Sequence, residues 1–463
     1  MSLSASTVWE VRTTGSDTAG GGFVTGASGT DWSQQDSIKY ALTSLTTAAA
    51  NAIILTSSAS SDMVGNIIQI TSGTNFTTGF YQILSVSAGV SITVDRNCTT
   101  AAGASGVANI GGALLTVNQA IVNMTVNGMI VYIKNGSYTR TSTMTLNGTS
   151  GLPYTVIGYT SSRTDNGQVT ITTASNITLV TYSGGNTWIF NNIIFSSTAG
   201  TAGYGFDQTN SSYTITLIFI NCLFSGLKDA IHAGGGVGFG PLYMENCEIK
   251  SCTNVGIECG GNNTIVILID SFLHGSTSDG ILEASQALTL YMLRSIIYNN
   301  SGKGVNCSSN NSHQIFCYDS AIASNTSDGI SFGNSGVVVR GLFLHNTIIQ
   351  SNGGWGLNIN TTGGLQFQSV RNNAFRNNTS GNYTSVVTST GEITLTADPF
   401  TAAGSSDFSL NTNPGGGYLC KAAGFPGVLQ TGGTGYVDVG PLQHLDSPPV
   451  ISSRITQFIV DAD

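Results

Sequence analysis

Between about residues 190 and 380 one short pattern recurs: NNIIF (191–195), INCLF (220–224), ENCEI (245–249), IDSFL (269–273), LRSII (293–297), YDSAI (318–322), HNTII (345–349) and RNNAF (371–375). The second residue of each marks the repeat, giving Asn192, Asn221, Asn246, Asp270, Arg294, Asp319, Asn346 and Asn372 at spacings of 29, 25, 24, 24, 25, 27 and 26. Three past the marker stand Phe195, Phe224, Ile249, Leu273, Ile297, Ile322, Ile349 and Phe375, an unbroken apolar column that must face a core. Strand periodicity of two turns the residue one past the marker inward as well. There the column is Ile193, Cys222, Cys247, Ser271, Ser295, Ser320, Thr347 and Asn373.

Ten residues after most markers comes a small residue followed by an aliphatic one: Gly256-Ile257, Gly280-Ile281, Gly304-Val305, Gly329-Ile330 and Gly356-Leu357, with Ala230-Ile231 one residue early. Each repeat therefore holds two or three short strands and is too short to fold alone, so its apolar face is buried by stacking on its neighbours. Small, like-on-like side chains at the inter-strand spacing of about 4.8 Å are what a coil of parallel strands builds. A leucine-rich repeat lacks this signature, and a propeller blade needs about 40–45 residues. The pattern predicts a single-stranded parallel β-helix, right-handed by the usual sense of parallel crossovers.

Upstream, residues 113–126 place Leu114, Val117, Ile121 and Met124 at helical spacing. This predicts a short amphipathic helix over the open end of the stack. The strand Met129–Ile133 and the turn Asn135-Gly136 follow, then early coils such as 154–159 and 169–173. Residues 1–112 carry strand runs at 66–71, 79–86 and 90–95 between Gly-rich turns and are expected to form a small antiparallel β domain for attachment or assembly. The β-helix is assigned to 113–445, with final irregular coils after residue 390, and 446–463 to a Pro-led tail.

Composition agrees. Charged residues are 8 % of the chain, against about 25 % for an average globular protein. With 40 % hydrophobic residues a core can form, and the scarcity of Glu, Lys and Arg beside Val, Ile, Thr and Gly argues for an all-β chain. A net charge of −9 with only 15 scattered Lys and Arg leaves no basic stripe, which excludes nucleic acid as partner. No membrane-spanning stretch is present, and the start lacks the pattern of a secretory signal, so a soluble product of a cytoplasm is expected. The eight cysteines, at 98, 222, 247, 252, 259, 307, 317 and 420, have no disulfide or zinc spacing and read as buried thiols.

Candidate chemistry is sparse. Asp229, Asp279 and Asp328 each precede the small residue of the second signature and lie on one side of alternate coils, about 9.6 Å apart at two coils. That is near the upper limit of about 9.5 Å for an inverting glycosidase pair, but Asp before a small residue is ordinary turn chemistry, and the turn reading is preferred. Glu245, Glu248 and Glu258 are expected on the outside, where a sugar or cation could meet them, although a solvated acidic face explains them as well. Glu283 falls in an inward column with Cys259, Cys307, Phe332 and Ile359; it is expected to turn out at the strand end rather than stand as a buried acid. His232, His274, His313, His345 and His444 share no repeat position, so no metal cluster or histidine dyad is expected. Asp17, Asp31 and Asp36 have no known calcium-loop spacing, and the GGG runs at 20–22 and 234–236 are turns rather than phosphate loops. No catalytic, cofactor-binding or metal-binding residue is assigned.

Two past the marker, on the outer face, run Ile194, Leu223, Glu248, Phe272, Ile296, Ala321, Ile348 and Ala374. Such an apolar stripe calls for cover. A homotrimer about an axis parallel to the stack is the economical solution, and a terminal segment draped over it is the competing one.

The opening GSDTAGGGF (15–23), SGTDWSQQDS (28–37) and VGNIIQITSGTNFTTGFYQILSV (64–86), followed by a β-helix, resembles a group of right-handed parallel β-helix virion proteins of tailed bacteriophages. The β-helix portion is similar in kind to pectate-lyase-like and tailspike folds. The resemblance implies a trimeric virion-surface protein displayed on head or tail, made in the host cytoplasm, with other virion proteins as partners and a host surface glycan as a further one. It carries over no catalytic residue. The expectation is a structural head-decoration, cement or head-fibre protein rather than an enzyme. The alternative is a tailspike or polysaccharide-degrading hydrolase or lyase.

Overall fold

The computed structural model describes residues 3–443 except 149–150, 200–202, 209–213, 235–239, 262–263, 285–286, 308, 310, 333–339, 360–364, 385–386 and 426–436. Three long sheets of 13, 11 and 10 strands run side by side, parallel apart from the edge strand Gly22–Val24 of the first, and through the repeats successive strands of each come from successive repeats. The chain visits the three in turn: Thr187–Asn191 in the first sheet, Ile193–Ser197 in the second, Phe206–Gln208 in the third, then Thr216–Ile220 back in the first. This is a right-handed parallel β-helix, and the expected internal column is in register from rung to rung, Phe195 on Phe224, Ile249, Leu273, Ile297, Ile322, Ile349 and Phe375. All eight are at most 1 % exposed.

The marker residues have a conformational cause. Asn192, Asn221, Asn246, Asp270, Arg294, Asp319, Asn346 and Asn372 all have φ between 46° and 61°, a single left-handed residue that bends the chain from the first sheet to the second. Asn and Asp adopt that conformation at least cost after Gly, so the bend selects the residue type and the period becomes visible. Side chains at these bends also bond down the stack: Asn246 Nδ2 donates to Asn221 Oδ1 at 2.6 Å, and Arg294 donates to both oxygens of Asp270 at 2.7 and 2.8 Å. A second left-handed column five residues on carries Gly226, Ser251, Gly275, Asn299, Ser324, Ser351 and Asn377. The small residue of the second signature answers a close approach: a Cβ on Gly304 would lie 2.6 Å from the carbonyl oxygen of Gly329 in the next rung.

Polar ladders thread the interior. Backbone N–H groups of Cys247, Ser271 and Ser295 donate to the hydroxyls of Ser271, Ser295 and Ser320. Buried Asn300, Asn325, Asn352 and Asn378 are linked amide to amide. Sequence reading passed over this asparagine ladder, although Asn stands six past the marker in four successive repeats. All eight cysteines are buried free thiols, and burial lifts Cys252 and Cys420 up to about 12.

The ends differ from expectation. Residues 1–112 divide: Thr7–Val11 pairs in parallel with Ile130–Lys134 and belongs to the solenoid, while residues 40–110 supply a six-stranded sheet with its own core. Helix α1 is shorter than 113–126, running Val117–Asn123, because Leu114 pairs with Val11 and Thr116 caps the helix. It buries Val117, Ala120 and Ile121 against the end of the stack. After Ile393–Thr394 the chain does not continue as coils. It leaves the solenoid and lays Phe400–Ala402 and Asp407–Leu410, an antiparallel pair, across the outer face of the second sheet. This strap covers Ile296, Ala321, Ile348 and Ala374, which are 0–1 % exposed. Half of the outer stripe that suggested a trimer contact is thus satisfied within the chain, and Ile194, Leu223, Glu248 and Phe272 stay half-buried. Residues 446–463 lie outside the described residues.

Two measurements follow. Burial pushes the Asp319 carboxyl up to about 6, against the hydrogen bond from Asn346 and the charge of Arg294. A raised folded pKa means that stability is lost as pH rises from the ordinary carboxylate range through about 6. Asp319→Asn keeps the left-handed bend and the bond from Asn346, so thermal melts should show a gain on the order of 1–3 kcal/mol at pH 8 and none at pH 3. Phe408→Ala, which removes a ring packed 4.7 Å from Tyr298 and 4.9 Å from Phe400, should cost the strap about 3–5 kcal/mol. Limited proteolysis should then cut within 395–425 while the solenoid resists.

Candidate functional site

On the third sheet the middle residue of each strand points outward, and register stacks Thr181, Asp207, His232, Glu258, Leu282, Asn306, Ser331 and Asn358 in one column. Just before each strand, at the turn, stand Asp229, Asp279 and Asp328. The latter two behave alike. Asp279 Oδ1 accepts from Lys303 N at 2.7 Å and Oδ2 from Asn306 Nδ2 at 2.8 Å. Asp328 accepts from Trp355 N and from Asn358 Nδ2, both at 2.8 Å. Both carboxylates are therefore committed to joining one rung to the next, as the turn reading held.

Asp229 breaks the rule. Its Oδ1 accepts from Val255 N and Asn254 Nδ2, both at 2.9 Å. The column position that elsewhere supplies an Asn amide to Oδ2 is here Glu258, an acceptor facing an acceptor. Asp229 is fully buried, and the one group that could donate to its Oδ2 is the Glu258 carboxyl, when protonated.

The rungs below complete a cluster. His232 Nδ1 lies 2.7 Å from Asp207 Oδ1, and Nε2 lies 3.8 Å from Glu258 Oε2. The Tyr204 ring stacks on the imidazole at 4.0 Å and accepts a 2.8 Å hydrogen bond from Lys228 Nζ through its hydroxyl. Asp229, His232 and Glu258 each offer a ligand atom within 4.8 Å of the others. Glu258 is the most open of the column's carboxylates, with 21 % of its side chain exposed. Burial pushes the Asp229 and Glu258 carboxyls up, and at Glu258 the charge of Asp229 adds to the push. At His232 burial opposes the charged form, but the Asp207 hydrogen bond and the charges of Glu258 and Asp207 outweigh it and raise the pKa.

Sequence reasoning placed Glu258 outward but treated His232 as isolated; the structure gives it carboxylates on both neighbouring rungs, 25 and 26 residues away, that meet it only through stacking. Reading eleven or twelve past the marker aligns His232 with Glu258, but Asp207 stands fifteen past its marker and escapes that column. Of the other acids, Glu245 accepts from the Tyr243 hydroxyl at 2.6 Å. Glu248 pairs with His274 at 2.9 Å and Lys250 at 3.0 Å, beside a cleft of about 380 Å³ that also touches Asn246, Phe272 and Ser406. Glu283 does not turn out: it is fully buried, 3.6 Å from the equally buried His313, because its inward register is held on both sides by Cys259 and Cys307. His345 meets Ser369 Oγ at 2.9 Å, and His444 lies outside the described residues. Asp17, Asp31 and Asp36 do not converge: Asp17 accepts from Leu115 N and Thr116 N at the start of α1, while Asp31 pairs with Arg163 and Asp36 with Arg12.

An aromatic column missed in the sequence, Tyr291, Phe316 and Phe343, lies on the outer face of the first sheet with centroids 4.7 Å apart and planes within 8°. The rings use their faces on one another and present edges outward, so they form an apolar ridge rather than a platform for sugar rings.

No family model matches the sequence, and no curated protein matches it. Solved structures similar to the chain include the pectate lyase Pel9A, at 15 % identity and TM-score 0.45 over 72 % of this chain and 91 % of that one. A rhamnogalacturonan lyase aligns at 11 % identity and TM-score 0.34 over 66 % and 90 %. The catalytic domain of a GH87 α-1,3-glucanase aligns at 10 % identity and TM-score 0.29 over 77 % and 86 %. The class of protein rests on the three stacked sheets themselves: an all-β, right-handed parallel β-helix preceded by a small antiparallel β sheet. Among the described residues no helix is long and apolar enough to cross a membrane.

The cluster's electrostatics can be read directly. In a proton NMR titration His232 should titrate above the ordinary histidine value, and Asp207→Asn should bring its pKa down. The stability that this pairing contributes is complete below the unfolded histidine value and is lost as pH rises through the folded one.

Proposed function

We propose that this chain is a polysaccharide-engaging β-helix of the tailspike kind, acting at the outer face of the third sheet around Glu258. The observation that carries the reading is the single rung where the Asp–Asn ladder is replaced by Asp229 facing Glu258. Facing Asp279 and Asp328 the column carries the amides of Asn306 and Asn358; facing Asp229 an acid stands in that place, beside a histidine held by Asp207. In this reading Glu258 protonates the leaving oxygen of a glycosidic bond, Asp229 behind it is a positioning residue, and the Asp207–His232 pair activates water.

The second reading is a projecting structural component of a tailed-phage virion, associated as a homotrimer. It is favoured by the resemblance of residues 15–86 and by the outward apolar ridge, where Tyr291 is 40 % exposed.

Reducing ends should appear when the protein is incubated with capsular or exopolysaccharide of a susceptible bacterium. Glu258→Gln should lower the rate by a factor of about 10² or more, and Asp279→Asn, whose carboxylate serves only the rung joint, should leave it within about twofold. Loss on Asp279→Asn with no loss on Glu258→Gln would move the chemistry elsewhere, and no release from any polysaccharide would leave the structural reading.

A further inference from the structure

We infer that Asp229, His232 and Glu258 form a binding site for one divalent transition-metal ion of the zinc class. The inference does not depend on the polysaccharide reading. In the rungs of Asp279 and Asp328 the second carboxylate oxygen is neutralised by an Asn amide from the next rung. In the rung of Asp229 that amide donor is gone, and the buried Oδ2 is left opposite a second carboxyl. Two acceptors face to face are satisfied by a proton shared between them or by a metal cation that displaces it.

The third ligand is already set. A metal-binding imidazole usually gives its other ring nitrogen to a carboxylate, which fixes tautomer and orientation. His232 does so through Nδ1 and Asp207 at 2.7 Å, leaving Nε2 turned toward Glu258. Nε2 and Oε2 are 3.8 Å apart, too far for a hydrogen bond and close to the separation of about 3.4 Å between two ligands on one tetrahedral zinc with bonds near 2.1 Å. All three ligand atoms fall within 4.8 Å, so modest side-chain rotation closes the site. Imidazole with two carboxylates suits zinc or its neighbours better than calcium or magnesium, which prefer all-oxygen shells.

Three protein ligands leave a coordination position open, and the partly exposed Glu258 marks its side. A sugar hydroxyl or carboxylate is the chemistry that position would accept. Where the polysaccharide reading also holds, an ion on Glu258 removes it as an acid, and the loaded protein is the inhibited form.

The test uses the full chain without an affinity tag, stripped with chelator and titrated calorimetrically with zinc chloride at pH 7.5. One site per chain in the micromolar range or tighter is expected, with calcium at least about 10²-fold weaker. Glu258→Asn restores the amide found in the other rungs; it should melt at the same temperature or higher and lose at least about 10²-fold in zinc affinity. Asp207→Asn should weaken binding by about 10–100-fold through His232. The inference is overturned if wild type shows no zinc site, if Glu258→Asn binds zinc as wild type does, or if calcium binds as tightly as zinc. Binding without sugar release keeps the metal site and removes the hydrolase, whereas sugar release without binding does the reverse.

Discussion

The rung-to-rung contact in which each residue sits on its equivalent, 24 to 29 residues later through the regular rungs, governs this molecule. Parallel strands pair their backbones along the stack, so each side chain meets the same class of side chain above and below. That rule tolerates only certain columns. Apolar residues pile up inside, hydroxyls and amides pass hydrogen bonds from rung to rung, and the bend between first and second sheets takes Asn or Asp because its backbone is left-handed. Like charges stacked in a column violate the rule, since nothing intervenes to separate them.

Against that constraint the cluster on the third sheet stands out. Asp207, His232 and Glu258 occupy three successive rungs of one column, and Asp229 is wedged behind them. The alternation of acid, base and acid relieves part of the repulsion, and Tyr204 with Lys228 closes one side. The remaining frustration is concentrated on the Asp229 and Glu258 carboxyls. Local violation of an otherwise uniform pattern is where a repeat protein is expected to place function. The interior group of Glu283 and His313 is a different exception, sealed at 0 % exposure and out of reach of any solute.

The C-terminal strap shows how the same rule shapes association. An apolar outer stripe is a liability in a solenoid, and here Leu395, Phe400, Phe408, Leu410, Cys420 and Val439 take up its later half. What the strap leaves uncovered is the earlier part of the stripe and the aromatic ridge of the first sheet, which lies on another face.

The period, the inward columns, the buried thiols and the strands of both β regions were legible in the sequence because each is set by local requirements: a left-handed bend wants Asn, a close backbone approach wants Gly, an inward slot wants an apolar or small residue. Glu258 as an outward acid was legible for the same reason. The meeting of Asp207, Asp229, His232 and Glu258 was not, since it depends on register between third-sheet strands whose connecting turns vary in length, and no local preference fixes that register. Nor could a pattern show that Thr7–Val11 opens the solenoid, that Glu283 stays inside or that the last described segment folds back. Local backbone and side-chain demands wrote the rungs into the sequence; which distant residues share a column, and what covers the outside, was settled only when the stack closed and buried surface decided between alternatives.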